Sequence, residues 1–228
     1  MEIRGSIALV TGANRGIGRE LARALVNHGA AKVYAGARDP ASVTDRDLTP
    51  VRLDVTDPDQ VAKAAAQAGD VNIVVNNAGI TGDNVTLLDG DLRLVQKALD
   101  VNFFGTWSVS RAFAPILARN GGGAMVNMVS VVAWGGWPLF PGYAASKAAE
   151  WSLTNSLREG LREQGTLVVG VHASFVDTDL VANFDVPKIA QGDVVELIVA
   201  ALLRNESEVL ADEATRQTKA SLSHIVQS

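Results

Sequence analysis

The chain has 228 residues, enough for one large α/β domain that buries roughly 70% of the surface of its unfolded state. Hydrophobic residues make up 47% of the sequence and charged residues 20%, a balance typical of a folded globular protein rather than a disordered one. The net charge of −5, with no basic run, argues against nucleic acid or an anionic membrane as a partner.

Cysteine is absent, which excludes disulfides, thiol catalysis and cysteine metal sites. The three histidines are far apart in sequence, so we expect no metal site. No apolar run approaches the roughly 20 residues of a bilayer-spanning helix, and the N-terminus lacks the pattern of a signal peptide. The sequence therefore predicts a soluble cytoplasmic protein.

Short apolar runs alternate along the chain with longer segments rich in alanine and leucine. The short runs predict strands at Ile7–Val10, Lys32–Ala35, Val51–Leu53, Val71–Val75, Met125–Val129, Leu167–His172 and Ser207–Leu210. The longer segments predict helices at Ile17–His28, Pro58–Gln67, Leu92–Arg119, Ala144–Gln164 and Gly192–Leu203. Strands that are apolar throughout are typical of a parallel sheet with helices on both faces. Without a repeat or linker, residues 1–228 are predicted to form a single doubly wound α/β domain.

The first predicted strand leads directly into a glycine-rich turn, and a helical pattern follows at once. Glycines in this setting let the backbone approach a pyrophosphate, and the helix N-terminus offers N–H groups and a partial positive charge to that anion. The turn therefore predicts a dinucleotide site in a Rossmann-like fold. The residues of this predicted site are Gly12, Asn14, Arg15, Gly16, Ile17 and Gly18.

The spacing Gly-x-x-x-Gly-x-Gly resembles that of the short-chain dehydrogenase/reductase family, and the resemblance extends from Ile7 to about Leu210. Asp54 and Val55, after the third strand, resemble the family's adenine contacts. After the fourth strand, the resemblance places Asn77, Ala78 and Gly79 along the cofactor, whereas Asn76 is expected to tie strands together. Read alone, these residues are also compatible with ordinary turn chemistry.

The end of the second predicted strand indicates which dinucleotide is bound. An NAD site usually has an acidic residue there, which bonds the ribose 2′-hydroxyl, but Ala37 and Arg38 occupy this stretch. The guanidinium of Arg38 can bind a 2′-phosphate, which a carboxylate would repel, and Arg15 offers a second guanidinium. Two arginines at these positions resemble the family's NADP(H) users, so NADP(H) is the predicted cofactor. Asp39 follows directly and leaves NAD open as the alternative, and each arginine alone is also compatible with a solvated surface position.

Tyr143 and Lys147 lie four residues apart in a helical pattern, a spacing that stacks both side chains on one face. Free tyrosine titrates at about pH 10 and is a poor base at neutral pH, but a nearby cation favours its phenolate. Tyr143 can then give a proton to a carbonyl oxygen during reduction, or take one from an alcohol during oxidation. Lys147 can supply the positive charge and hold the ribose hydroxyls of a nicotinamide cofactor.

Two further positions complete the catalytic set through the family resemblance. Ser130 ends the fifth strand, thirteen residues before Tyr143, as the family's catalytic serine does, and would bond the substrate oxygen. Asn102 resembles the asparagine that holds a water in the family's proton relay, although an asparagine inside a long helix can also cap a kink. The resemblance therefore implies a tetrad of Asn102, Ser130, Tyr143 and Lys147.

The stretch after the sixth strand departs from the family pattern. Val176 and Thr178 match the family's contacts to the cofactor, but Ala173 and Ser174 stand where the family usually has Pro-Gly. This change relaxes a turn that proline would stiffen and glycine would let bend. It puts the pose of the nicotinamide in doubt but removes no catalytic group.

Aromatic side chains are concentrated between Ser130 and Tyr143 and just after the sixth strand. An aromatic wall suits a hydrophobic ketone or alcohol and not a sugar phosphate, although the same rings are compatible with core or subunit contacts. Only residues 179–190 separate Thr178 from the next helix, which predicts a short lid and an open pocket. The predicted substrate pocket consists of Ser130, Trp134, Trp137, Phe140 and Phe175, with Leu139 and Phe184 nearby.

These features together predict an NADP(H)-dependent carbonyl reductase or alcohol dehydrogenase acting on a small hydrophobic molecule, with Tyr143 as general acid and base. An NAD-preferring dehydrogenase and a dinucleotide-binding regulator with weak catalysis are the alternatives. The family resemblance also implies a homodimer or homotetramer built from the two long helices at 92–119 and 144–164. Trp107 and Trp151 could anchor that interface or belong to the core.

Overall fold

The computed structural model describes residues 1–82 and 86–225, with side chains of the last helix described as far as Leu222. At its centre lies a seven-stranded, all-parallel sheet in the order β3-β2-β1-β4-β5-β6-β7. This confirms the predicted doubly wound α/β fold. The strands are β1 (Ile7–Thr11), β2 (Lys32–Ala37), β3 (Thr49–Arg52), β4 (Ile73–Asn76), β5 (Ala124–Met128), β6 (Leu167–His172) and β7 (Glu208–Leu210).

Helices cover both faces of the sheet, and two of them differ from the sequence prediction. The helices are α1 (Gly16–Asn27), α2 (Pro58–Gln67), α3 (Leu92–Leu99), α4 (Thr106–Arg119), α5 (Pro141–Gly160), α6 (Gln191–Arg204) and α7 (Glu213–Ile225). The predicted helical segment from Leu92 to Arg119 is continuous in the structure, but it contains a π-helical turn over Asp100–Gly105, between α3 and α4, that was not predicted. Helix α7 was not predicted.

The core consists of two apolar layers, one on each face of the sheet. Alternate residues of β1 divide between them: Ala8 and Val10 pack in one layer, and Leu9 packs in the other. The first layer also contains buried residues of α1 and α6, and the second contains residues of α2 and α4. Because both faces of the central strands are covered, strands such as β1 and β4 are largely apolar instead of alternating.

The strand order reverses at β1, whose neighbours are β2 on one side and β4 on the other. In open α/β sheets this reversal leaves a crevice at the carboxyl ends of the strands, where ligands bind. The loops that follow β1, β4, β5 and β6 are therefore brought to the same edge of the sheet. Within the described parts of the chain, every helix is too short or too polar to cross a bilayer.

Candidate active site

A cavity of about 1310 Å³ opens at the carboxyl edge of the sheet. It is lined by residues that follow β1 to β6 and by the first turns of α1 and α5. Most of the predicted cofactor residues lie on its wall, namely Gly12, Asn14, Arg15, Gly16, Ile17, Arg38, Asp54, Val55, Asn77, Ala78, Gly79, Tyr143, Lys147, Val176 and Thr178. The fold therefore gathers segments as far apart in sequence as Gly12 and Thr178 into one site.

Gly18 is the predicted cofactor residue that lies behind the cavity wall instead of on it. It is buried, and a side chain there would collide with the Asn77 amide and the Gly12 carbonyl. Gly12 itself has a φ of +65°, a conformation that favours glycine, and a Cβ there would lie 3.2 Å from the Ala78 Cα. The two glycines thus allow the loop after β1 to pack tightly against the loop after β4.

Hydrogen bonds fix these two loops to each other. The backbone N–H groups of Asn77 and Ala78 donate to Thr11 Oγ1 at 2.9 and 3.0 Å. The Asn77 amide donates to the Thr11 carbonyl at 2.9 Å, and below it Asn76 bonds Asn127 of β5 at 2.9 Å, tying neighbouring strands as expected. The glycine-rich loop after β1 is therefore held in place by the loop after β4.

The start of α1 has the features of an anion site. No side chain caps its N-terminus, and Gly16 and Ile17 of its first turn line the cavity. Arg15 precedes it and forms an exposed ion pair of 3.1 Å with Asp179 from the loop after β6. Arg38 is exposed at the cavity rim, where Arg52 donates to its carbonyl at 3.0 Å. These residues fit a dinucleotide that carries one negative group at the start of α1, near Arg15, and another near Arg38.

Helix α5 presents Tyr143 and Lys147 on its cavity face, as their spacing predicted. The Lys147 Nζ lies 5.9 Å from the centroid of the Tyr143 ring. It donates to the carbonyl of Met128 at 2.6 Å and to Glu150 Oε2 at 2.6 Å. The sequence analysis did not single out Glu150, although an acidic residue three positions after a lysine on the same helix is a recognisable signal.

Lys147 and Glu150 form a buried ion pair. Burial works against the charged form of Lys147, but the neighbouring Glu150 carboxylate prevails and raises the pKa of the ammonium above its ordinary value. Burial raises the pKa of the Glu150 carboxyl, which Lys147 opposes. The site therefore contains an ammonium that stays protonated at neutral pH.

Ser130 follows β5 and faces the cavity. Its Oγ accepts from the Val132 N–H at 3.3 Å, and its carbonyl accepts from His172 Nδ1 at 3.1 Å. Because a carbonyl can only accept, this contact selects the Nδ1–H tautomer of the neutral ring. Burial lowers the pKa of His172 to about 4, so the ring is neutral at physiological pH.

Asn102 lies in the π-helical turn and is fully buried. Its Oδ1 accepts from the Ile80 N–H at 2.9 Å, and its Nδ2 donates to the Ile80 carbonyl at 2.8 Å and to Ser146 Oγ at 2.9 Å. The side chain thus joins the loop after β4 to α5. These contacts orient the helix that carries Tyr143.

The loop after β6 is tied down by residues that the sequence analysis did not connect with the site. The N–H of Ser174 donates to Asp212 Oδ2 at 2.8 Å, and Asp212 also accepts from the N–H of Thr215 at 2.8 Å at the start of α7. Farther along, the Asp177 N–H donates to the Ile189 carbonyl at 2.9 Å. The segment with Val176 and Thr178 is therefore held from both sides although Pro-Gly is missing.

Four aromatic rings form one wall of the cavity. The centroid of the Trp137 ring lies 4.9 Å from that of Phe140 and 5.6 Å from that of Phe175. The ring centroids of Phe184 and Phe140 are 5.5 Å apart. Trp134, predicted to belong to this wall, does not line the cavity. Its ring stacks at 4.1 Å on His172, on the far side of Ser130, because the short 3₁₀ turn over Val131–Trp134 directs it there.

Several known proteins are similar to this chain in sequence and in architecture. A family model described as "short chain dehydrogenase" matches residues 6–188. An "Uncharacterized oxidoreductase" of Myxococcus xanthus is 34% identical over 218 residues, which cover 89% of this chain and 85% of that protein. A short chain dehydrogenase from Burkholderia cenocepacia, crystallised in complex with NADP, is 36% identical with a TM-score of 0.95, covering 100% of this chain and 96% of that one.

One curated relative is much longer than this chain. The "Short chain dehydrogenase tazN" of Aspergillus terreus is 33% identical over 200 residues. The match covers 80% of this chain but only 44% of that relative.

Proposed function

Because the chain belongs to the short-chain dehydrogenase/reductase family, we propose that it is an NADP(H)-dependent oxidoreductase that interconverts a hydrophobic ketone or aldehyde and the matching alcohol. The observation that carries the proposal is that Tyr143, Lys147 and Ser130 line the same cavity as the glycine loop. A proton donor, a cation and a hydroxyl are thus assembled beside a site suited to a dinucleotide.

The residues present fit a nicotinamide dinucleotide. The uncapped start of α1 and the close packing allowed by Gly12 and Gly18 suit its pyrophosphate, and Arg15 and Arg38 suit the 2′-phosphate of NADP(H). The solved relative from Burkholderia cenocepacia binds NADP. When bound, the cofactor supplies or accepts the hydride.

The side chains of this chain have separate roles in the proposed reaction. In the direction of reduction, the Tyr143 hydroxyl gives its proton to the substrate oxygen, and in oxidation it takes the proton back. Ser130 donates a hydrogen bond to the same oxygen and stabilises the charge that develops there. Lys147 places a positive charge beside the phenol, and Asn102 positions α5 through Ser146.

The aromatic wall supports a hydrophobic substrate. The rings of Trp137, Phe140, Phe175 and Phe184 offer an apolar surface in the cavity that Ser130 also lines. An apolar carbonyl compound gains free energy by covering these rings, whereas a charged sugar would lose hydration there without compensation.

The test is a panel of hydrophobic ketones with NADPH, followed by loss of NADPH absorbance. Tyr143→Phe should lower turnover by at least about 100-fold, since a positioned acid contributes about 10²–10⁴-fold, while NADPH binding measured by fluorescence stays within about threefold. Tyr34→Phe is the matched control, because Tyr34 bonds Lys32 and Asp70 outside the cavity and should leave turnover unchanged. Tight NADPH binding without turnover on any substrate would instead favour the regulator.

The choice of NADP(H) over NAD(H) is tested at Arg38. Arg38→Ala should weaken NADPH binding by about 10- to 100-fold, the equivalent of a lost charge-assisted hydrogen bond, and change NADH binding little. Arg119→Ala, at the end of α4 and outside the cavity, is the matched control. An NADPH preference that survives Arg38→Ala unchanged would contradict this assignment and favour the NAD alternative, which Asp39 at the cavity rim keeps open.

We also propose that the protein is a homodimer or homotetramer. Phe104 of the π-helical turn and Trp107 at the start of α4 are 53% and 48% exposed and lie beside Phe103, which suits a contact between subunits. Trp151 on α5 is only partly exposed. Sedimentation equilibrium should give a mass of two or four chains, and Trp107→Glu should lower it; a single-chain mass for the unmodified protein would reject the proposal.

A further inference from the structure

Glu150 is a buried carboxylate beside the active site to which none of the proposed catalytic roles has been assigned. It lies on α5, is 1% exposed, and receives a hydrogen bond from Lys147 Nζ at 2.6 Å. Its other oxygen accepts from the Thr106 hydroxyl at 3.1 Å. Burial raises the pKa of this carboxyl group, and the two donors oppose that rise by favouring its ionised form.

A buried ammonium without a partner tends to lose its proton, because burial penalises the charged form. Lys147 is buried, and its second contact, the Met128 carbonyl, is a neutral acceptor. The Glu150 carboxylate is thus the group that compensates the charge of Lys147. Since two of the three ammonium protons are directed to Met128 and Glu150, the contact also fixes the direction of the third, toward the cavity that Lys147 lines.

The groups on other elements that bond Lys147 and Glu150 are neutral. β5 supplies the Met128 carbonyl to Lys147, and α4 supplies the Thr106 hydroxyl to Glu150. Tyr143 is the other titratable group of α5 that interacts with Lys147. Among charged groups of neighbouring elements, Lys97 of α3 and Asp100 lie on the cavity wall, and His172 of β6 lies behind Ser130.

We propose that Glu150 is a positioning residue, whose buried carboxylate keeps the Lys147 ammonium protonated and directed at the cavity. The part of this inference that concerns turnover rests on the proposed function, whereas the part that concerns the ionisation of Lys147 does not. Glu150 acts through Lys147 and contacts neither substrate nor cofactor.

The first test measures the ionisation of Lys147 without any substrate. In protein labelled with ¹³C at the lysine ε-carbon, with the signal assigned by its loss in Lys147→Arg, Lys147 should stay protonated to at least about pH 10.5. In Glu150→Gln, which keeps the shape and can still bond Thr106, it should titrate at least about one pH unit lower, a tenfold change in ionisation constant. Titration of the unmodified protein below about pH 9 would overturn the proposal even if Glu150→Gln failed to fold.

The second test follows the pH dependence of kcat for ketone reduction with NADPH. For Glu150→Gln, kcat should stay within about threefold of the unmodified protein at about pH 6.5, where Lys147 is protonated in both. Above the pH at which Lys147 titrates in the variant, its kcat should fall below that of the unmodified protein by about tenfold for each further pH unit. A purely structural role would lower kcat equally at all pH values and would contradict the proposal. Glu159→Gln is the matched control, because Glu159 is an exposed carboxylate on the same helix that pairs with Arg162.

The two tests separate this inference from the proposed function. If the unmodified protein turned over no ketone, the proposed function would fail, and the lysine titration would still decide the role of Glu150. If turnover were found but the Lys147 titration were the same in Glu150→Gln, this inference would fail and the proposed function would stand.

Discussion

At the residue scale, Gly18 is the position whose lack of a side chain matters most to the cofactor site. Gly18→Ala should push the Asn77 amide and the Gly12 carbonyl apart, because the new methyl group would overlap both. We expect a loss of about 1–3 kcal/mol in the free energy of unfolding, typical of overpacking, and weaker NADPH binding. Urea unfolding and fluorescence titration measure the two effects.

Gly192→Ala is the control for Gly18→Ala. Gly192 also lies in the first turn of a helix, α6, but a Cβ there would meet no atom within 4 Å. Replacing a helical glycine with alanine should stabilise the protein by about 0.5–1 kcal/mol and leave NADPH binding unchanged. Equal effects of the two substitutions would show that the close approach at Gly18 is unimportant.

At the scale of secondary-structure elements, helix α7 stabilises the loop after β6 through one carboxylate. Burial would raise the pKa of Asp212, but the N–H donors of Ser174 and Thr215 prevail and lower it below its ordinary value. Asp212→Ala should destabilise the fold by about 1–2 kcal/mol through the lost helix cap and, because Ser174 loses its acceptor, raise the KM for NADPH several-fold.

Asp91→Ala separates these two consequences. Asp91 caps α3 by accepting from the Arg93 N–H at 2.9 Å but does not touch the loop after β6. It should therefore cost a similar free energy of unfolding without changing the KM for NADPH. The same rise in KM in both variants would mean that loss of stability alone, and not the Ser174 contact, affects the site.

Features that depend on local sequence patterns could be predicted from the sequence, whereas features that depend on tertiary packing could not. The sheet could be predicted because strands buried on both faces need continuous apolar runs, and the glycine loop because the strand and helix around it have separate patterns. The π-helical turn at Asp100–Gly105 could not be predicted, since a single such turn inside a helix leaves the apolar periodicity nearly intact. The direction of Trp134 and the Asp212–Ser174 bond depend on tertiary packing between distant segments.

At the scale of the whole molecule, the parallel sheet brings its chemistry to one edge and buries the supporting groups beneath it. Ser130 faces the cavity. On the side of Ser130 away from the cavity, the His172 ring of β6 donates to the Ser130 carbonyl and stacks on Trp134. The Nε2 of His172 lies 4.0 Å from Glu208 of β7, a contact that is an ion pair only if the ring is protonated. Burial opposes protonation of this ring and outweighs the Ser130 carbonyl and the Glu208 carboxylate, which both favour the protonated form.

The stability of the fold should consequently fall in mild acid. Burial lowers the pKa of His172 to about 4, below the roughly 6.5 of an unfolded histidine, so the unfolded state takes up a proton first as the pH falls. The stabilisation from this group is complete above pH 6.5 and is lost between about pH 6.5 and 4, amounting to about 2 kcal/mol between pH 7 and pH 5. His172→Gln, which can still donate to the Ser130 carbonyl, should be less stable at pH 7 but lose about 2 kcal/mol less on going to pH 5. Urea unfolding of both proteins at the two pH values measures this difference, and parallel losses would show that His172 is not the group responsible.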